Sequence, residues 1–144
     1  MTQTAICGLP QFEADDPVQR TDFNGAFSAI DAALGARARI ATGSYVGAGN
    51  YGASNPITLT FPFPPKAVLV MGSYYHALFL SGNGFGFAGN GSHIFARESA
   101  TWSGNSLSWY VNSARNLLIE NDTSVSSQEQ LNKSGETYRY VAIG

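Results

Sequence analysis

The sequence predicts a mainly β protein, in which a short N-terminal helix precedes an antiparallel β-sandwich. Three observations lead to this fold class. Helical spacing of apolar residues is confined to residues 21–40. From residue 41 onward, short runs of β-branched and aromatic residues alternate with clusters of Gly, Asn and Ser, which is typical of strands joined by turns. Charged residues make up 12% of the 144-residue chain, about half the usual share, which favours a neutral, hydrogen-bonding surface.

Residues 1–20 are predicted to form an extended attachment arm. Pro10 and Pro17 each interrupt a helix, and Asp15-Asp16-Pro17 is typical of a turn. Cys7 is the single cysteine, so the chain has no internal disulfide. Nothing around Cys7 in the sequence marks it as a reactive thiol, and we interpret it as a small apolar side chain.

Residues 21–40 are predicted to form an oligomerisation helix, with Thr21 as its N-cap and Arg37 and Arg39 near its negative end. Four apolar residues at spacings of 4, 3 and 4 form a coiled-coil-like seam: Phe23, Phe27, Ile30 and Leu34. The seam is shorter than the about three to four heptads that define a strong coiled coil. Two interpretations therefore remain open, a helix bundle between copies and a single helix packed on its own domain.

Residues 41–144 are predicted to form the β-sandwich. Residues 57–61 alternate between apolar and polar, as a half-buried strand does, and the prolines that follow end that strand. Residues 67–71 are continuously apolar, which predicts a central strand buried on both faces. Trp109 lies between Leu107 and Val111 at a period of two, so we expect it in the core.

The motifs of catalysis and cofactor binding are weak in this chain. Residues 47–52 and 84–89 both match G-x-G-x-x-G, but no helical pattern follows either match, so the glycines are interpreted as turn residues. The acidic residues show no spacing that pairs two carboxylates, and the two histidines and one cysteine lack the spacing of metal ligands. We therefore expect a protein that is not an enzyme and has no cofactor and no metal.

The overall charge argues against two further classes of partner. The formal net charge is −2 and no basic stripe is present, which disfavours nucleic-acid binding. No apolar stretch approaches the about 20 residues of a membrane span, so no membrane insertion is expected. The N-terminus lacks the charged and apolar regions of a signal peptide.

A candidate ligand-binding set combines aromatic rings with hydrogen-bonding groups close to predicted turns. Flat rings stack on sugars, while amide, imidazole and guanidinium groups bind the hydroxyls. The set is Tyr75, His76, Asn83, Asn90, Arg97 and Trp102. Tyr74 also has functional potential. For Tyr75 and Trp102 a place in the core is equally open, and a satisfied sheet residue is the alternative for His76.

Several segments resemble one known family. Residues 9–12, 16–18, 20–24 and 30–34 resemble the N-terminal region of small tail-fibre, or receptor-binding, proteins in phages and prophages of Gram-positive gut bacteria. Residues 43–47, 51–52, 55–56, 59–66 and 135–143 are similar to their β-domain. The strand ending in Phe-Pro-Phe-Pro-Pro, the buried strand after it and the closing aromatic strand are also similar to H-type lectin domains. Residues 72–130 share only the general character of the family.

The resemblance implies a virion protein of the phage tail that acts in host adsorption, often as a homotrimer. Residues 1–24 would attach it to other tail or baseplate proteins, and the β-domain would bind a host surface glycan or protein. Such a protein is made in the bacterial cytoplasm without a signal peptide. Two alternatives remain, a virion structural or decoration protein without a receptor, and a free cellular lectin.

Overall fold

A computed structural model describes residues 1–89, 94–112 and 126–144, with residues 94–97 described as backbone only. The chain divides into two compact units, Met1–Ala38 and Arg39–Gly144. The division lies close to the predicted boundary between residues 40 and 41. Among the described residues, no helix has the length and apolar character that crossing a membrane requires.

The first unit begins with a small hairpin within the predicted arm. Strand β1 (Thr2–Gln3) pairs antiparallel with β2 (Pro10–Gln11). The Leu9 backbone N–H donates to Thr4 Oγ1 at 2.9 Å, and the Thr4 N–H donates to the Leu9 carbonyl at 2.9 Å. Pro10 excludes a helix, but it is compatible with a two-stranded ribbon because both strands are edges. Within the predicted arm, residues 2–3 and 10–11 are thus extended and paired with each other, and its function as an attachment arm stays a prediction.

Helix α1 (Arg20–Gly35) begins one residue earlier and ends sooner than predicted. Its N-cap is Gln19 rather than Thr21, and the Gln19 backbone N–H donates to the Asp22 carboxylate at 3.2 Å. The last turn contains no basic residue, because the helix ends at Gly35 and leaves Arg37 and Arg39 beyond it. Glycine is a weak helix former, and it stops the helix before the arginines can interact with its negative end.

The described residues of the second unit form one antiparallel sheet of eight strands, which confirms the mainly β prediction. The strands are β3 (Ile40–Val46), β4 (Ile57–Thr60), β5 (Ala67–Met71), β6 (His76–Leu80), β7 (Phe85–Gly89), β8 (Ile94–Ser103), β9 (Ser106–Val111) and β10 (Thr137–Ile143). Their order across the sheet is β3-β10-β5-β6-β7-β8-β9-β4. Since the described strands belong to one sheet, a sandwich of two separate sheets is not confirmed.

The sheet curls around its own core. Trp109 on β9 is fully buried, as predicted, and its ring lies 6.2 Å from that of Tyr45 on β3 and 5.0 Å from that of Phe79 on β6. Strands β3 and β9 are well separated in the sheet order, so only a strongly curled sheet brings their inward side chains together. The inner face thus forms the apolar core that holds the strands in place.

Strand β5 departs from its predicted burial. Val68 and Val70 point into the core and are fully buried, whereas Leu69 and Met71 on the opposite face are exposed. The expectation that residues 67–71 are buried on both faces is therefore wrong for the single chain. The outward-facing positions of β5, Leu69 and Met71, are thus apolar although they are exposed.

Candidate functional site

The antiparallel strands place the connecting segments at two opposite ends of the sheet. Residues 47–56, 72–75 and 126–136 lie at one end, called the loop end, because Val46 pairs with Thr137 and Met71 pairs with His76 there. Residues 61–66, 81–84 and 104–105 lie at the other, called the turn end. The two longest described segments, 47–56 and 126–136, are both at the loop end, so this end offers the more varied surface.

A buried glutamine joins three segments of the loop end. The Oε1 atom of Gln130 accepts hydrogen bonds from the backbone N–H of Gly52 at 2.7 Å and of Val111 at 3.0 Å. Its Nε2 donates to the Asn55 carbonyl at 2.7 Å, and its own carbonyl accepts from Trp109 Nε1 at 3.0 Å. Gln130 is fully buried, so each of these bonds satisfies a group that water does not reach.

Asn132 fixes the start of the 47–56 segment in the same way. Its Oδ1 accepts from the Ala48 N–H at 2.9 Å, and its Nδ2 donates to the Asn50 carbonyl at 2.8 Å and to Asn50 Oδ1 at 2.6 Å. The Asn132 carbonyl accepts from the Gly49 N–H at 2.7 Å. A long loop is thereby held in one conformation by a side chain more than 80 positions away in the sequence.

Leu131 lies between these two amides in an unusual backbone conformation. Its φ is 63°, in the left-handed region that residues other than glycine rarely adopt, and its side chain is fully buried in the core. The Leu131 carbonyl accepts a hydrogen bond from the Tyr45 hydroxyl at 2.7 Å. Such conformations persist only where the surroundings impose them. The tripeptide Gln130-Leu131-Asn132 is therefore a rigid support, which we call the buried plug.

Sequence reasoning missed the buried plug. Gln and Asn are usually exposed, and residues 126–136 are almost entirely polar, so nothing in their composition predicts burial. The one signal is Leu131, a large apolar residue alone within a polar stretch, which indicates a point of anchorage.

Aromatic and amide groups are exposed on two segments of the loop end, 47–56 and 72–75. Tyr51 is 46% exposed and Tyr74 is 55% exposed. The Tyr74 ring meets the Tyr75 ring edge-on at 4.9 Å, while Tyr75 itself is partly buried against the core. The sequence-based set did not include Tyr51. The loop end therefore presents tyrosine rings on a fixed backbone, beside the amides of Asn50 and Asn55.

A carboxylate closes the short turn between β5 and β6. Glu136 Oε1 accepts from the Ser73 N–H at 2.6 Å and from Ser73 Oγ at 2.7 Å. Burial alone would raise the pKa of the Glu136 carboxyl, but the two Ser73 hydrogen bonds and the nearby charge of Lys133 outweigh it and lower the pKa. Glu136 is therefore ionised at neutral pH, and it positions the turn that carries Tyr74 and Tyr75.

The predicted ligand-binding residues divide between the two ends. Tyr75 and His76 lie at the loop end, where His76 is exposed. Asn83 and Trp102 lie at the turn end, where the Trp102 Nε1 donates to the Asn83 carbonyl at 3.1 Å and the indole packs against the core. Strand β6 separates the two pairs by about 15 Å.

Asn90 and the side chain of Arg97 lie outside the described residues. The structure thus brings Asn83 and Trp102 together, and Tyr75 and His76 together, but it does not unite the two pairs.

The loop end combines tyrosine rings and amide groups with a few charged side chains, among them Lys133 and Glu136. Within residues 1–89, 94–112 and 126–144, the structure contains no group of three His, Cys, Asp or Glu side chains that could hold a metal ion. No known family model matches the chain, and neither a curated protein nor a solved structure shows significant similarity to it.

Proposed function

We propose that this chain is a tail-fibre protein of a phage virion. In this proposal it binds a receptor on the host surface during adsorption, and that receptor is a glycan. The observation that carries the proposal is the loop end, where Tyr51 is exposed on the 47–56 segment held by the buried plug and Tyr74 is exposed on the turn held by Glu136. The likeness of both ends of the chain to tail-fibre proteins supports the same function. The proposal is for a binding protein and not for an enzyme.

The loop end has the properties that glycan binding requires. Exposed tyrosine rings stack on the apolar face of a sugar, and they lose little conformational entropy on binding because each has only two side-chain torsions. Asn50 and Asn55 supply amide groups beside Tyr51, and their side chains are 3.4 Å apart from Nδ2 to Oδ1. Because the plug fixes these segments before binding, little further ordering opposes association.

The helix supports assembly into a homotrimer. Phe23, Phe27 and Leu34 are exposed along the predicted seam, and none of the residues of α1 is buried. The Phe12 ring stacks on the Phe23 ring at 5.8 Å, so the hairpin segment lies beside the start of the seam. We propose that the rest of the seam packs against other copies and that residues 1–24 contact other tail or baseplate proteins.

The test is binding of the purified chain to host cells and to an array of bacterial surface glycans. We expect the double variant Tyr51→Ala/Tyr74→Ala to lose at least tenfold in affinity with an unchanged melting temperature. The matched control is Asn83→Ala at the turn end, which should bind like the wild type. A loss confined to Asn83→Ala would move the site to the turn end. Wild-type protein that binds no host cell and does not slow phage adsorption would refute the receptor function.

The second candidate is a virion structural or decoration protein without a receptor. It is favoured by the exposed apolar side chains on the outer face of the sheet, since such surfaces mark protein–protein contacts. A blank glycan array, unaltered phage adsorption and detection of the chain in purified particles by mass spectrometry would together support this candidate.

A further inference from the structure

The outer face of the sheet carries an apolar row that runs straight across four strands. Val141 on β10 pairs with Leu69 on β5, Leu69 pairs with Leu78 on β6, and Leu78 pairs with Phe87 on β7. Each of these four side chains is between 36% and 41% exposed. Neighbouring positions in register lie about 5 Å apart, so the row is continuous.

A second apolar row lies beside the first, towards the turn end. Ile40 on β3 pairs with Ile143 on β10, Ile143 pairs with Ala67 on β5, and Ala67 pairs with Leu80 on β6. Ile40, Ile143 and Leu80 are exposed, and Met71 extends the surface at the other side of the first row. We call this surface of β3, β10, β5, β6 and Phe87 the apolar half.

The rest of the outer face has the opposite character. On β4 and β9 the Thr58 hydroxyl donates to Ser108 Oγ at 3.0 Å, and the hydroxyls of Thr60 and Ser106 lie 2.9 Å apart. Thr101 on β8 pairs with Ser108 and continues the same pattern. We call these strands the hydroxyl half of the outer face. Their alternation of apolar inward and polar outward side chains is expected of an antiparallel sheet with one solvent-exposed face. The apolar half is therefore a local departure from this pattern.

We infer that the apolar half is an interface between copies of this chain. Its exposed side chains offer on the order of 600 Å² per copy, close to the about 800 Å² that each partner contributes to a stable protein interface. It also reaches the upper limit of about 600 Å² for the largest apolar patch on a typical monomer. Covering it with a second copy gives strand β5 the two-sided burial that its apolar sequence predicts.

The charge of the surface also favours a second copy over other partners. On the described part of the apolar half, Arg139, in register with Met71, is the one Arg, Lys, Asp or Glu side chain, and it lies towards the loop end. A charged partner would find no complementary pattern on such a surface. Identical neutral surfaces, in contrast, can cover one another in a closed symmetric assembly, which is the commonest form of soluble oligomer. This inference does not depend on the receptor function.

The experiment is light scattering of the full chain across a range of concentrations. We expect a wild-type mass that is a multiple of 15.3 kDa. The double variant Leu69→Lys/Leu78→Lys, which places two charges at adjacent positions of the first row, should associate at least tenfold more weakly. The matched control on the hydroxyl half, Thr101→Lys/Ser108→Lys, should keep the wild-type mass. Where the lysine variant does not fold, Leu69→Ser/Leu78→Ser provides a milder test with the same expected direction.

Three outcomes would overturn the inference. A wild-type chain that stays monomeric at high concentration would leave the apolar half to another virion protein or to the chain's own N-terminal unit. A folded Leu69→Lys/Leu78→Lys variant of unchanged mass would show that the interface lies elsewhere. Equal loss of association in the hydroxyl control would show that added charge, and not the apolar surface, weakens assembly. The second outcome would leave the proposed helical trimer intact, so the two proposals fail separately.

Discussion

Tyr45 connects the core of the sheet to the loop end. Its ring stacks on that of Tyr138 at 5.2 Å, and its hydroxyl donates to the carbonyl of the strained Leu131 at 2.7 Å. Tyr45→Phe keeps the ring but leaves that carbonyl without this donor, so we expect it to lower the free energy of unfolding by about 1–2 kcal/mol. Chemical denaturation at neutral pH measures the change, and Tyr51→Phe, at an exposed tyrosine, is the control and should be neutral.

The same hydroxyl predicts how stability changes at alkaline pH. Burial, followed by repulsion from the negative charges of Tyr138 and Glu136, raises the pKa of Tyr45 well above its ordinary value of 10.0. A raised pKa in the folded state means that the contribution to stability is complete below about pH 10 and is lost as the pH rises through the folded-state value. We therefore expect the free energy of unfolding to fall above pH 10, and to fall less in Tyr45→Phe. Parallel pH profiles for the two proteins would contradict this assignment.

At the scale of the element, Gly86 within strand β7 and Gly84 just before it have different environments that only the structure distinguishes. A Cβ added to Gly86 would collide with the Phe79 ring in the core, whereas a Cβ on Gly84 would meet nothing within 4 Å. We expect Gly86→Ala to lower the free energy of unfolding by about 1–3 kcal/mol, because an added methyl group overpacks a filled core. Gly84→Ala, just before the strand, should be neutral or slightly stabilising, since it mainly restricts the unfolded chain. Equal melting temperatures for the two variants would contradict the packing around Phe79.

The elements themselves were largely predictable because their periods are local. Residues 57–61 and Trp109 alternate along single strands, and the apolar seam spans one helix, so short-range spacing was sufficient to find them. The end of the helix was predicted less well, because Gln19 and Thr21 can both accept a capping hydrogen bond and the choice depends on how the backbone enters the helix.

The buried plug escaped prediction because its partners are remote in the chain. Gln130 and Asn132 bind segments 75 to 84 positions away. A polar side chain predicts exposure when it has no partner, but it can be buried once such partners satisfy its hydrogen bonds. The division of the candidate site has a similar cause. Tyr75 and Trp102 both lie near turns in the sequence, yet the strand order places those turns at opposite ends of the sheet.

At the scale of the whole molecule, the proposed function requires that several loop ends act together. A single copy that uses exposed rings such as Tyr51 and Tyr74 would bind a glycan weakly, but linked copies on one particle can gain about 10²–10⁴ in avidity without a new contact. The helix seam is the proposed link between copies. Breaking the seam should therefore weaken binding to cells far more than binding to an isolated glycan.

This expectation can be measured with Phe27→Asp/Ile30→Asp, which places charge in the middle of the seam. The affinity of the variant for a soluble glycan, measured by calorimetry, should equal that of the wild type because the loop end is unchanged. Its ability to block phage adsorption to whole cells should fall at least tenfold, since losing the seam reduces the number of linked loop ends and hence the avidity. The control Asn24→Asp/Ser28→Asp adds the same charge to exposed positions beside the seam and should block like the wild type. Unchanged blocking by the seam variant would mean that the copies are joined through the sheet alone, as the apolar half allows, and an equal loss of glycan affinity would mean that the mutation disturbs the β-domain.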